Sequence, residues 1–144
     1  MEKPRILVVD DEREARELLK DFLEAKGYAV VTASNGAEAL TAVQEHRPHL
    51  ILLDIMMPGM NGLKVLRRIR EIDRNVGVLM LTAVSDSYIA RQAMYEGAYD
   101  YLTKPLNLAY LELSILTGLA QQDRPRSGHP GVGDAEAGCQ EEGL

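Results

Sequence analysis

Three aspartates, a threonine and a lysine each stand where an apolar run of the chain stops: Asp10 and Asp11 after ILVV, Asp54 after LILL, Thr82 after VLML and Lys104 after YLT. Carboxylates gathered without a counter-charge repel one another and raise each other's pKa, so such a cluster needs a cation. Oxygen-only ligands with no His or Cys beside them select a hard ion, Mg²⁺ or Mn²⁺, over zinc. Mg²⁺ keeps several waters and commonly bridges to phosphate oxygens, which invites a phosphoryl group as the next ligand. A lysine ammonium pairs with that group's charge, and a threonine hydroxyl donates to its oxygens. An Asp carboxylate is itself a competent nucleophile for making an acyl phosphate, and Asp54 is the acid on the central strand.

That chemistry works only if a scaffold brings distant residues to one edge. From Arg5 to about Gln121, apolar runs of strand length alternate with stretches of helical period, the signature of a parallel sheet with helices on its faces. The predicted strands are 6–9, 29–33, 50–53, 78–81 and 99–102, apolar throughout as befits strands covered on both faces. In the first predicted helix, Asp11 and Glu14 have capping-box spacing, Ala15, Leu18, Leu19, Phe22 and Leu23 form one stripe, and Gly27 supplies the stop. The second covers 36–46 and must end before Pro48; the third starts after Asn61 with Leu63, Leu66 and Ile69 as its spine. The fourth lies between Ser85 and Gly97, and the fifth runs from near Asn107 to about Gln121. In that last helix Leu108, Leu111, Ile115 and Leu119 suffice for a core stripe, so Tyr110, Leu113 and Leu116 are either a broad core face or a docking surface. Five β/α units predict a doubly wound α/β domain, in which ligands sit outside the carboxyl ends of the strands. All five polar residues then project from that edge.

The motifs VVDDE, LLDIMMPGMNG around Asp54, MLTA ending at Ala83 and YLTKP ending at Pro105 occur in order, and together they resemble the receiver domains of two-component signalling. The resemblance covers residues 4 to about 121 and implies a five-stranded parallel sheet with five helices, flavodoxin-like in topology, for which the order 2-1-3-4-5 is expected although the pattern of elements alone does not give it. It implies that Asp54 is the phosphoacceptor, that Asp10, Asp11, Asp54 and the backbone carbonyl of Met56 hold Mg²⁺, and that Thr82, Ala83 and Lys104 bind the phosphoryl oxygens. Tyr101 is implied as the aromatic that turns inward when Thr82 moves, and the Lys104–Pro105 bond as cis. The implied partners are a sensor histidine kinase or histidine phosphotransfer protein as donor, and a downstream protein or second copy of the chain at the face of helix 4, strand 5 and helix 5. The expected role is a regulatory phosphoacceptor rather than an enzyme.

Composition agrees with one such domain. The chain has 144 residues, 46% hydrophobic and 26% charged, enough to bury a core. Its net charge of -6 disfavours direct binding to nucleic acid. Cys139 has no second cysteine to pair with, no apolar run is long enough for a membrane span, and no leader segment is read, so a cytoplasmic protein is expected. His46, His49 and His129 are scattered, which places the phosphodonor histidine on a partner. Residues 1–122 are read as the domain and 123–144 as a disordered tail, because its five glycines, two prolines and five acids against two bases carry too little apolar surface to offset ordering. The 22 residues that follow the domain are fewer than the ~50 a small folded domain needs, so a stand-alone receiver acting through protein contacts is expected, the alternative being a receiver belonging to a larger regulator whose output domain binds DNA.

Individually these residues have blander readings: Asp11 as a helix N-cap, Asp54 and Thr82 as turn or capping residues, Lys104 as a solvated lysine and Tyr101 as a strand aromatic. Their co-location favours a site. An aspartyl-phosphate phosphatase is disfavoured because Asp54-Ile-Met lacks the second acid of an Asp-x-Asp pair, and a flavin carrier because the first turn, DDERE, has the wrong sign for a phosphate. Met56 and Val84 flank the acceptor with apolar groups and no base, so slow self-dephosphorylation is expected.

Overall fold

A computed structural model of the chain describes residues 3–57, 60–83 and 87–122. Five strands, β1 (Arg5–Val9), β2 (Ala29–Ala33), β3 (Leu50–Asp54), β4 (Gly77–Thr82) and β5 (Asp100–Thr103), form one sheet. Every pairing is parallel, in the order β2-β1-β3-β4-β5. Between them run α1 (Arg13–Ala25), α2 (Gly36–His46), α3 (Gly62–Ile72), α4 (Ser87–Tyr95) and α5 (Leu108–Gln122). The strand boundaries differ from expectation by a residue at several ends, most visibly in β5, which begins at Asp100 rather than Tyr99.

Alternation along the strands divides the core into two layers. Leu7, Val9, Ile51, Leu53, Val78 and Met80 pack with Ala39, Val43, Val65, Leu66 and Ile69 of α2 and α3, and with Ala93 of α4. Ile6, Val8, Leu50, Leu52, Leu79 and Leu81 pack with Leu19, Leu23, Leu111 and Ile115 of α1 and α5. The connection leaving β1 therefore goes to one face and that leaving β3 to the other. Their divergence between neighbouring strands opens the crevice that a doubly wound sheet uses for ligands.

Several local readings are corrected. Helix α1 has Glu12 at its N-cap with no side-chain cap bond, so the Asp11/Glu14 capping box does not form. Instead the Asp10 carboxylate accepts the Glu12 N–H at 2.9 Å and satisfies the helix start from one residue earlier. Leu18 is 60% exposed rather than part of the core stripe, and in α3 the buried spine is Val65, Leu66 and Ile69, with Leu63 only partly buried. Asn35 and Asn61 cap α2 and α3 by accepting from Glu38 and Leu63 N–H groups. Gly27 ends α1 with φ +97°, the left-handed conformation that favours glycine. An antiparallel ladder pairing Met56–Met57 with Met60–Asn61, in the turn after β3, was not anticipated.

Among the described residues no helix is long and apolar enough to cross a membrane. The tail reading of 123–144 and the neighbourhood of Val84 lie outside the described residues.

Candidate functional site

Register decides which side chains meet. Val9 lies opposite Leu53 and Asp54 opposite Leu81, so Asp10, Asp54 and Thr82 all emerge at the carboxyl edge of β1, β3 and β4. Lys104 follows β5 and its N–H donates to the Thr82 carbonyl at 2.7 Å, which seats its side chain at the same edge. The result brings together all five residues that the sequence pattern nominates. One ligand oxygen from each of Asp10, Asp11 and Asp54 lies within 4.8 Å of the others. The Lys104 Nζ donates to Asp10 Oδ2 at 2.8 Å and to Asp54 Oδ2 at 3.3 Å.

Burial distinguishes the three acids. Asp10 is 0% and Asp54 5% exposed, whereas Asp11 is exposed at the mouth. The Asp54 Oδ1 accepts the Met56 N–H at 3.0 Å, and the Ile55 N–H donates to Leu81 O, so backbone on both sides orients the carboxylate. Its pKa is nonetheless raised, chiefly by burial and further by the charge of Asp10, against the opposing pull of the Met56 N–H and Lys104. Burial by itself would lower the Lys104 pKa, but the bonds and charges of Asp10 and Asp54 outweigh it and hold the ammonium protonated above its ordinary range. The charge balance is thus two buried carboxylates around one ammonium, with a third carboxylate at the rim. This leaves net negative charge for a divalent cation to neutralise, and the all-oxygen donor set fits a hard one.

Thr82 is buried beside the cluster, and Ala83 is exposed just after it. Tyr101 lies at the surface, 39% exposed, and the Lys104–Pro105 peptide is cis. Met56 is paired opposite Asn61, with its side chain 55% exposed.

Two residues that sequence reasoning passed over belong to the same structure. Arg16 Nη1 reaches back from α1 to the Asp10 carbonyl at 2.8 Å. Gly62 begins α3 directly on the continuation of β3: a Cβ there would lie 2.6 Å from Ile55 Cα and 2.8 Å from the Asp54 carbonyl oxygen. The glycine in MNG carries a usable signal, since a glycine opening a helix supplies no propensity and hence marks close backbone approach. Arg16 carries none, because an arginine on a charged helix reads as solvated.

Fold and crevice together define a doubly wound α/β domain with an acidic, lysine-bridged site at its carboxyl edge. Comparison with known proteins narrows this class. The family model described as response regulator receiver domain matches residues 6–116. The DNA-binding response regulator MtrA of Mycolicibacterium smegmatis is 38% identical over 134 residues, covering 93% of this chain and 58% of MtrA. A CheY-like receiver domain protein from Methanospirillum hungatei superposes with a TM-score of 0.82 at 29% identity, covering 85% of this chain and 98% of that one. The CheY of a CheX–CheY–BeF₃–Mg²⁺ complex from Borrelia burgdorferi does so at 0.76 and 28% identity, covering 79% and 87%. The chain belongs to the response regulator receiver domain family of two-component systems. It spans about half the length of the curated relatives it matches. Receiver domains are regulatory and bind Mg²⁺ through acidic residues, and Asp10, Asp11 and Asp54 bring three carboxylates within 4.8 Å of one another here.

Proposed function

We propose that this domain, spanning residues 1–122, is a phosphorylation switch whose acceptor is Asp54. The observation that carries the reading is the Lys104 ammonium bridging Asp10 and Asp54, with Asp11 within ligand distance of both. Asp10, Asp11, Asp54 and the Met56 carbonyl would hold Mg²⁺, or Mn²⁺ in its place. When bound, the ion neutralises negative charge as the phosphoryl group arrives.

The Asp54 carboxylate attacks phosphorus while the P–N bond of a partner's phosphohistidine breaks, and the electron pair leaves with the imidazole. The result is an acyl phosphate on Asp54. Lys104 pairs with the arriving oxygens, the Thr82 hydroxyl donates to them, and Ala83 contributes its backbone at the same edge. Catalysis is mostly positioning, which the buried, backbone-held Asp54 supplies. The donor is a sensor histidine kinase or a histidine phosphotransfer protein, in the cytoplasm. Loss of the carboxylate and the pull on Thr82 and Lys104 bias the face of α4, β5 and α5, with Tyr101 moving inward from its exposed position. That face then acts on a downstream protein or a second copy of the chain, without turnover of a substrate. The net charge of -6 over the 144 residues argues against this chain binding DNA itself.

Treatment of the purified chain with acetyl phosphate and Mg²⁺ tests the proposal by intact mass. One added phosphoryl group that is absent from Asp54→Asn is expected. An unmodified wild type, or an equally modified variant, sinks it.

A further inference from the structure

We propose that Arg16 is a positioning residue for the metal site, acting through the Asp10 backbone rather than touching the ion. The inference rests on the reading of Asp10 and Asp11 as metal ligands. Asp10 is 0% exposed, so each of its polar groups needs a partner from the protein. Its N–H donates to Ala33 O at 3.2 Å, its Oδ1 accepts from Glu12 N–H at 2.9 Å, and its Oδ2 accepts from Lys104 Nζ at 2.8 Å. The last group, the carbonyl, accepts from Arg16 Nη1 at 2.8 Å.

These tethers differ in what they depend on. The Lys104 bond belongs to the reacting edge, and its ammonium must turn toward phosphoryl oxygens when they arrive. The Glu12 bond ties up one oxygen of a carboxylate that would itself hold the ion. Arg16 alone among the side-chain tethers grips a group that no ligand needs, through a guanidinium N–H. It also closes the turn: the Arg16 N–H bonds Glu12 O at 3.1 Å as the first helical turn, so backbone and side chain of one residue fold Asp10, Asp11 and Glu12 against the start of α1. Asp11 is exposed, and no bond to its carboxylate is found among the described residues. Its place at the mouth is therefore set by this turn. Without Arg16 the buried Asp10 carbonyl lacks its partner, and the turn carrying two of the three carboxylates loosens.

Sign separates this role from simple charge. Removing a cation beside an acidic site should tighten Mg²⁺ binding by Coulomb's law, whereas loosening the ligands weakens it. Arg16→Met keeps the aliphatic stem and deletes the donors. Isothermal titration of the full chain with MgCl₂ is expected to show affinity about tenfold weaker than wild type, the scale of losing a supporting bond to a metal ligand. Arg16→Lys should recover part of that loss, and Lys20→Met, which removes the same charge one turn along, should bind Mg²⁺ as tightly as wild type or more so. Wild-type or tighter affinity in Arg16→Met overturns the proposal, as does a loss of equal size in Lys20→Met. If Arg16→Met does not fold, Arg16→Gln is judged by the same two criteria. A wild type that binds no Mg²⁺ would instead refute the reading of the site on which this rests.

Discussion

The Lys104 ammonium stands 2.8 Å from Asp10 Oδ2 although 94 positions separate the two residues in the chain. In this arrangement lysine serves as the counter-ion of the acidic crevice, since its second contact, to Asp54, is 3.3 Å. A divalent cation would take over that task and free the ammonium for phosphoryl oxygens. Lysine and metal are therefore alternative answers to one electrostatic problem.

Removal of the lysine makes that relation measurable. Lys104→Met leaves two buried carboxylates unpaired, and breaking such a pair costs about 3 kcal/mol. Urea denaturation in EDTA should show a loss of that order. Saturating Mg²⁺ should restore more stability to the variant than it adds to wild type, because binding to the folded state alone stabilises by mass action. Equal gains in the two proteins would show that ion and ammonium do not share a role.

The raised Asp54 pKa predicts a pH dependence of defined sign. Burial makes the folded state hold the Asp54 proton more tightly than the unfolded chain does. Stability in EDTA should therefore fall as pH rises from the ordinary carboxylate range through the raised folded value, and no further from this source above it. Asp54→Asn should remove that contribution and be the more stable protein at neutral pH. An Asp54→Asn profile parallel to wild type would count against it.

Gly62 allows a steric test of how Asp54 is held. A methyl group at this position meets backbone, at 2.6 Å from Ile55 Cα, so the clash cannot be relieved by a side-chain rotation. Gly62→Ala should lose roughly 1–3 kcal/mol by overpacking, despite the better helix propensity of alanine. The displaced Asp54 should also accept phosphoryl from acetyl phosphate more slowly in the folded variant. Retention of both stability and rate would mean that α3 can back away freely.

What was legible in the sequence follows physical range. Runs such as ILVV and LILLD announce buried strands because both faces of a parallel strand are covered, and the site residues are legible because each interrupts such a run. The sequence pattern assigns the cap to Asp11 because spacing cannot tell which of two adjacent carboxylates turns back to the helix; tertiary placement gives the Glu12 N–H to Asp10 instead. Leu18 fits the helical period yet lies exposed, since period identifies a stripe but not its width. Arg16 and Gly62 act on backbone atoms of other segments, and no local pattern encodes such contacts.

Burial speaks against one of the two readings of α5 and leads to a prediction about association. Leu111 and Ile115 are buried, whereas Tyr110, Leu113 and Leu116 are 51%, 58% and 52% exposed and so are not a broad core face. Glutamate at Tyr110 and Leu113 should leave the fold and phosphorylation intact while weakening self-association or partner binding. Sedimentation of the phosphorylated wild type and double variant compares them directly. Identical behaviour in both phosphorylation states would remove the docking role.

Met56 bears on how long the signal lasts. It lies two residues beyond Asp54, its N–H is committed to Asp54 Oδ1, and its exposed thioether offers neither a base nor a strong hydrogen bond to an attacking water. Hydrolysis of the acyl phosphate needs a water aligned behind phosphorus, and an apolar side chain at this point does nothing to orient one. The phosphorylated chain should therefore persist for minutes or longer at neutral pH, as followed by intact mass after removal of acetyl phosphate. Met56→Asn, which places an amide where the thioether was, should shorten that lifetime without slowing phosphorylation. Decay of the wild type within seconds would mean that another group guides the water and that Met56 does not set the rate.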